Sequence, residues 1–268
     1  MKTATIFISI LLFFQIPVSS SGQSYSEPKP IMTRKLLKDF IHTHIAYPEI
    51  SRVDKTEGNV EIKFRIDEKG IISKRWLTKK VSPEIDIAAL HLFDLILWNP
   101  ASEYGIPLKS TGEFLIQYNL KKYAKYVKAR GYDVIDLGNA RVDTSYIIYQ
   151  INQLQERPKP LLSNEYKTLE ALVYNEMSYP EEARKLGIKG DVKLSFIIEV
   201  NGLPSNIFVE KTVGGGCCEE SIRILELLKW NPGIKDDLYV RTKYELTIHF
   251  SPPEERNMHI PNQSNSGL

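Results

Sequence analysis

The chain has 268 residues, 42% of them hydrophobic and 25% charged, with a formal net charge of +2. That balance excludes a natively disordered chain, and it leaves no overall field that would gather nucleic acid or an anionic membrane. The only two cysteines, Cys217 and Cys218, are neighbours, which excludes a disulfide framework and a four-cysteine zinc site.

The N-terminus reads as an export signal over residues 1–22. Lys2 precedes an apolar run from Ala4 to Val18, and Ser19, Ser20, Ser21 and Gly22 form a small polar exit. A membrane-spanning helix needs roughly 20 apolar residues, whereas this run is shorter and is interrupted by Gln15 and Pro17. Cleavage near residues 20–22 is therefore expected, and an uncleaved anchor is the alternative.

Beyond the signal, the chain matches itself at a shift of 132 residues. Tyr47-Pro48-Glu49 falls on Tyr179-Pro180-Glu181, Gly58 on Gly190, Gly70 on Gly202, and Trp98-Asn99-Pro100 on Trp230-Asn231-Pro232. Between residues 47 and 100 the two copies agree at 16 of 54 positions without a gap. Ordinary composition gives about three by chance. The chain contains a tandem duplication.

The elements follow in the same order in each copy. Leu37, Phe40, Ile41 and Ile45 have helical spacing, matched by Leu169, Leu172, Val173 and Met177. After the second Tyr-Pro, Glu181–Leu186 reads as a short helix with acids in its first turn. Val60, Ile62, Phe64 and Ile66 alternate as in a half-buried strand, as do Val192, Leu194, Phe196 and Ile198. Turns at Asp67–Gly70 and Asn201-Gly202 predict hairpins, the second returning through Ile207 and Val209. Ser82 and Pro83 then start a helix with Ile85, Ala89, Leu92, Phe93 and Ile96 on one face, repeated by Ile222, Leu225 and Leu228. Each Trp-Asn-Pro is expected to end that helix. A last strand alternates Phe114, Ile116, Tyr118 in one copy and Leu246, Ile248, Phe250 in the other.

The fold class is thus α+β: two tandem small modules, each a three-stranded antiparallel sheet packed with helices. The expected boundaries are 31–120 for a diverged first domain, 121–162 for a linker, 163–250 for the second domain and 251–268 for a disordered tail. Lys121, Lys122, Lys125, Lys128 and Arg130 read as a solvated linker face. Tyr146-Ile147-Ile148-Tyr149 can add a strand or a short helix, so the linker is not a plain tether.

No catalytic constellation emerges. His42 and His44 stand two apart on a helix and face different sides. His91 and His249 have no evident nucleophile or carboxylate beside them in the sequence. Gly214–Gly216 lacks the lysine and spacing of a phosphate loop and reads as a flexible helix entry. Trp98 and Trp230 read as packing residues. The chain is expected to be no enzyme and to need no metal and no cofactor.

This order of motifs resembles the C-terminal domain of TonB, particularly the versions in Bacteroidetes-type envelope proteins. The second copy carries the fuller pattern: Tyr179–Arg184, Gly187–Val192, Asn201-Gly202, Gly214–Glu220, Lys229–Gly233, then Tyr244 and Phe250 in the last strand. TonB-type transducers also carry an anchor bearing a histidine and a long Pro-rich spacer. Here the first histidine is His42, and Glu27-Pro28-Lys29-Pro30 is too short for such a spacer. The resemblance implies a periplasmic protein-binding module taking up peptide segments of an envelope protein, such as a TonB-dependent outer-membrane receptor, by strand addition and without energy coupling of its own. It places partner-binding residues at Tyr179, Pro180, Arg184, Arg241, Lys243, Tyr244, Leu246 and Ile248. Alternatives are a cell-wall accessory that grips peptidoglycan or forms a homodimer, and a true transducer for outer-membrane transport if the N-terminal segment stays uncleaved.

Overall fold

The computed structural model describes residues 25–252. The export signal expected over 1–22 and all but the first two residues of the tail expected over 251–268 lie outside the described residues.

The first module opens with two short strands, β1 (Tyr25–Ser26) and β2 (Lys29–Pro30). Helices α1 (Arg34–His44) and α2 (Glu49–Val53) follow, then β3 (Gly58–Ile66), β4 (Ile72–Lys79) and α3 (Pro83–Asp94). Short strands β5 (Trp98–Asn99), β6 (Ala101–Glu103) and β7 (Ile106–Leu108) lead into β8 (Ser110–Tyr118). The main sheet is antiparallel in the order β4-β3-β8. Val60, Ile62, Phe64 and Ile66 are buried on its core face beneath Ile85, Ala89, Leu92 and Phe93 of α3. The Ser82 hydroxyl accepts from the Ile85 amide and Pro83 stands at the helix start, as the sequence implied.

A middle segment carries α4 (Leu120–Arg130), the two-residue strand β9 (Ile148–Tyr149), a 3-10 turn at Ile151–Gln153, and β10 (Lys159–Leu161). The second module follows with α5 (Leu169–Glu176), α6 (Glu181–Leu186), β11 (Gly190–Ile198), β12 (Pro204–Lys211) and α7 (Cys217–Leu227). It ends with β13 (Lys229–Asn231), β14 (Gly233–Lys235) and β15 (Leu238–Phe250). Its three-stranded core, β12-β11-β15, repeats the first sheet, and β14 and β9 extend it.

The repeated residues now have physical reasons. Tyr47 donates from its hydroxyl to the Thr56 carbonyl at 2.5 Å, and Tyr179 does the same to Ile188, 132 residues on. Each Tyr-Pro is thus pinned to the loop that enters the first long strand. Gly70 and Gly202 adopt φ of 82° and 78°, and a Cβ at either would collide with the carbonyl oxygen of Trp98 or Trp230. The turn glycine and the tryptophan are one device: the hairpin tip lies on the tryptophan backbone, where the Trp230 amide donates to the Gly202 carbonyl at 2.9 Å.

Three expectations are corrected. Trp98 and Trp230 stand in β5 and β13 rather than at helix ends; α3 stops at Asp94 and α7 at Leu227. Of the expected α7 stripe, Leu225 and the capping Leu228 are buried but Ile222 is only half-buried, and Cys217 and Ile224 are buried instead. The basic run 121–130 is not a solvated face throughout. Its lysines are exposed, but Tyr123 is buried against Tyr47, and Arg130 donates to the carbonyls of His42, Thr43 and Ile45 at the open end of α1.

The two Pro-Lys-Pro segments, at 28–30 and 158–160, also belong to their modules. Pro30 pairs with Trp98 in the β2–β5 ladder, and Pro160 with Trp230 in the β10–β13 ladder.

Candidate functional site

The site proposed from sequence centres on β15. Along one edge, Thr242–Phe250 pair with β11 over nine registered residues without a shift. On the opposite edge β9 occupies only Arg241 and Thr242, running parallel to β15. From Lys243 to Phe250 that outer edge has no strand beside it among the described residues. Backbone N–H and C=O groups along such an edge are left to water or to an incoming chain.

The side chains of β15 divide cleanly. Leu246, Ile248 and Phe250 are buried in the core, and the Tyr244 ring packs against Trp230 at 4.9 Å and Phe196 at 5.7 Å. Glu245, Thr247 and His249 point to solvent. Lys193 on β11 bridges Glu245 at 2.7 Å and Glu210 at 3.1 Å, and Asp191 meets His249 at 2.8 Å. His249 therefore does have a carboxylate neighbour, supplied by strand pairing rather than by sequence proximity. That imidazole and then Lys211 hold the Asp191 carboxyl below its ordinary range. These exposed pairs order a surface but stabilise little.

Arg241 is the largest departure from the sequence reading. The resemblance makes it a partner-binding residue, but only 3% of it is accessible. Its guanidinium makes a two-pronged pair with Glu199, itself 1% accessible, at 2.7 and 2.8 Å. It also donates to the Leu95 carbonyl at 2.8 Å and the Tyr146 carbonyl at 3.2 Å. Ser205 donates to the same carboxylate, and Asn206 donates to Leu95 while accepting from the Leu97 amide, both at 2.8 Å. Asn206 holds φ of 48°, a left-handed conformation inside β12. Leu95 and Leu97 belong to the first module, so this cluster joins the two modules. Two histidines of the first module lie near it. His44 keeps its pKa below the usual value because it is buried, with Glu199 opposing the shift. His91 is lowered for the same first reason and bonds Tyr146 at 2.5 Å.

The remaining candidates separate into structure and surface. Tyr179 is buried near Phe250, with ring centroids 6.3 Å apart, and Pro180 is half-buried at the start of α6. Arg184 is exposed on α6, and Lys243 is half-buried. Gly214, Gly215 and Gly216 all have positive φ. A Cβ on Gly215 would come within 2.9 Å of the Ala183 backbone, so the glycine run lets α6 lie against the entry of α7 and is not merely a flexible lead-in. Burial raises the Cys217 thiol above its ordinary pKa, which makes it unreactive. Both tryptophan indole N–H groups are buried without a hydrogen-bond partner among the described residues, in keeping with a packing role. A cleft of about 430 Å³ lies between α1 and α4 on one side and β12 and the end of α7 on the other.

The sequence model of the Gram-negative TonB protein C-terminal family matches residues 43–120 and again 175–252, together more than half of the chain. The chain belongs to the TonB C-terminal family. The two matched segments are offset by the same 132 residues as the internal repeat. Among solved structures, the solution NMR structure of the Helicobacter pylori TonB C-terminal domain is similar at 19% identity, covering 33% of this chain and 84% of that one, with a TM-score of 0.25. No protein of curated function is significantly similar. TonB C-terminal domains are envelope-associated interaction domains that bind outer-membrane partners. Among the described residues no helix is long and apolar enough to cross a membrane.

Proposed function

We propose that this protein is a non-enzymatic periplasmic capture module, which takes an extended segment of an envelope partner, such as an outer-membrane receptor, onto the outer edge of β15 from Lys243 to Phe250. The observation that carries the reading is the geometry of that strand. It is anchored on one side by β11 and below by Leu246, Ile248 and Phe250, while from Lys243 to Phe250 its other edge has no strand beside it among the described residues. A rigid strand with one free edge binds a peptide through its backbone, which tolerates varied side chains. Of the residues expected to bind, Tyr179, Tyr244, Leu246 and Ile248 act by holding the edge in place. Lys243 and the exposed Arg184 are the ones free to touch a partner.

The test is amide hydrogen exchange on the full exported chain with a synthetic peptide from the periplasmic N-terminus of an outer-membrane receptor. Strand addition protects alternate amides between 243 and 250, because successive residues point to opposite edges. The other alternate set, already bonded to β11, stays unchanged. Protection of a different surface, or binding to purified cell-wall sacculi with no peptide uptake, defeats the reading.

A further inference from the structure

The segment between the modules lies along the beginning of the edge just assigned to a partner. Val142 bridges Tyr239 in parallel fashion, with the Tyr239 amide donating to Arg141 at 2.8 Å and the Asp143 amide donating to Tyr239 at 2.9 Å. The chain then loops out and returns as β9, where Ile148 pairs with Arg241 and Tyr149 with Thr242. At Tyr149 the edge is released, and the next residues turn away in the 3-10 turn.

This segment is held at few points. Ile147 is 52% exposed, and Ile148 and Tyr149 are only half-buried. Tyr146 sits at φ of 60°, a left-handed conformation that a bulky aromatic residue adopts at a cost. Besides those backbone pairings the segment's fixings are the partial packing of Tyr146 against the core, the Arg241 guanidinium on the Tyr146 carbonyl, His91 on the Tyr146 hydroxyl, and Lys235 over the Tyr149 ring at 5.7 Å. The β11–β15 ladder beside it is nine residues long, with core side chains beneath. Elements with shallow burial and short pairing open well before the core does.

We propose that Arg141–Tyr149 is a displaceable strap: a piece of the chain itself that holds the first positions of the β15 edge until an extended partner segment replaces it. The proposal rests on the capture reading above. The strap pairs with two residues of β15 at β9, whereas a partner strand starting at Arg241 runs on along the free edge to Phe250 and gains the whole length in one cooperative step. Because the strap is tethered at both ends, its local concentration is high, and it excludes segments too short or too weakly pairing to compete. The strap thereby acts as a threshold for capture.

The experiment compares the wild-type chain with a variant in which residues 144–149 are replaced by Gly and Ser at unchanged length, using the same receptor-derived peptide. The expected result is affinity about ten-fold tighter for the variant, the gain when the strap leaves the edge open in about one wild-type molecule in ten. Equal or weaker binding by the variant overturns the strap and leaves the capture reading intact. Binding by neither protein overturns both. A second measurement on the wild-type chain keeps the proposal falsifiable if the variant does not fold. On peptide addition the one β9 amide that faces β15 should lose protection as the 243–250 edge gains it, and retained protection of that amide overturns the strap.

Discussion

Arg241→Met leaves the Glu199 carboxylate buried without its cation. Both side chains are almost wholly inaccessible, so water cannot replace the two N–H donors that Glu199 loses, and Ser205 alone remains on the carboxylate. Removing one partner of such a pair costs about 3–5 kcal/mol, because the surviving charge keeps its desolvation penalty. The Tyr146 carbonyl also loses a donor, whereas Leu95 keeps Asn206. A loss of about 3 kcal/mol is expected, corresponding to roughly 6–12 °C in the unfolding midpoint of a protein this size. The double change Glu199→Leu with Arg241→Met should recover most of it, since an apolar pair of similar volume has no charge to strand. Calorimetric or urea unfolding of the wild-type, both single variants and the double variant completes the cycle. If Arg241→Met alone costs under about 1 kcal/mol, or the double variant is as unstable as the sum of the singles, the pair is not the buried clamp described here.

Two further outcomes follow from the same geometry. Gly202→Ala should cost at least about 3 kcal/mol in urea unfolding, because a strained φ is compounded by collision with the Trp230 carbonyl. Gly105→Ala, at φ of 80° but with nothing within 4 Å, should cost only about 1 kcal/mol, and similar costs at the two sites would refute the role given to the tryptophan backbone. His44, held below its ordinary value of 6.5 mainly by burial, is neutral in the folded protein where the unfolded chain would be charged. Its contribution is therefore fully present above about pH 6.5 and lost as the pH falls toward its lower folded value, so a His44→Gln variant should show a flatter stability profile than the wild-type between about pH 7 and 5. Parallel profiles would remove His44 from the account.

Much of the fold was legible because its causes are local or periodic. Alternation at Val60–Ile66 and Val192–Ile198, the Ser82-Pro83 start and the Asn201-Gly202 turn each specify one element from neighbouring residues. The repeat then fixed their order twice. What escaped depends on contacts distant in sequence. Nothing near Arg241 announces that its guanidinium reaches Leu95, and nothing in the Lys-rich run announces that Arg130 closes the open end of α1. The tryptophans were placed one element too early for a related reason. The helix stops because the chain must cross beneath the hairpin glycine, a tertiary demand, rather than because a proline follows.

A signal for the buried clamp was nevertheless present, in the differences between the copies rather than in their agreement. At the 132-residue offset, Asn206 and Arg241 stand where the first copy has the exposed Lys74 and Lys109. Positions that agree report the fold both copies share; positions that change from solvated lysine to a fixed polar group report what one copy does and the other does not. Here the change builds the junction: the second module holds the first by its Leu95–Leu97 backbone, with Tyr146 of the intervening segment drawn into the same cluster. The first module has Lys109 at the position of Arg241, and among the described residues no segment is bound beside its last strand in the way β9 lies beside β15. The two copies therefore offer unequal edges. The β8 edge of the first module is free along its described length, while that of the second begins at a buried ion pair with a strand of the chain beside it. Under the capture proposal, the edge that the chain itself partly covers is the one whose entry is controlled, and the first module's part would be to hold that edge in place through the Leu95–Leu97 junction.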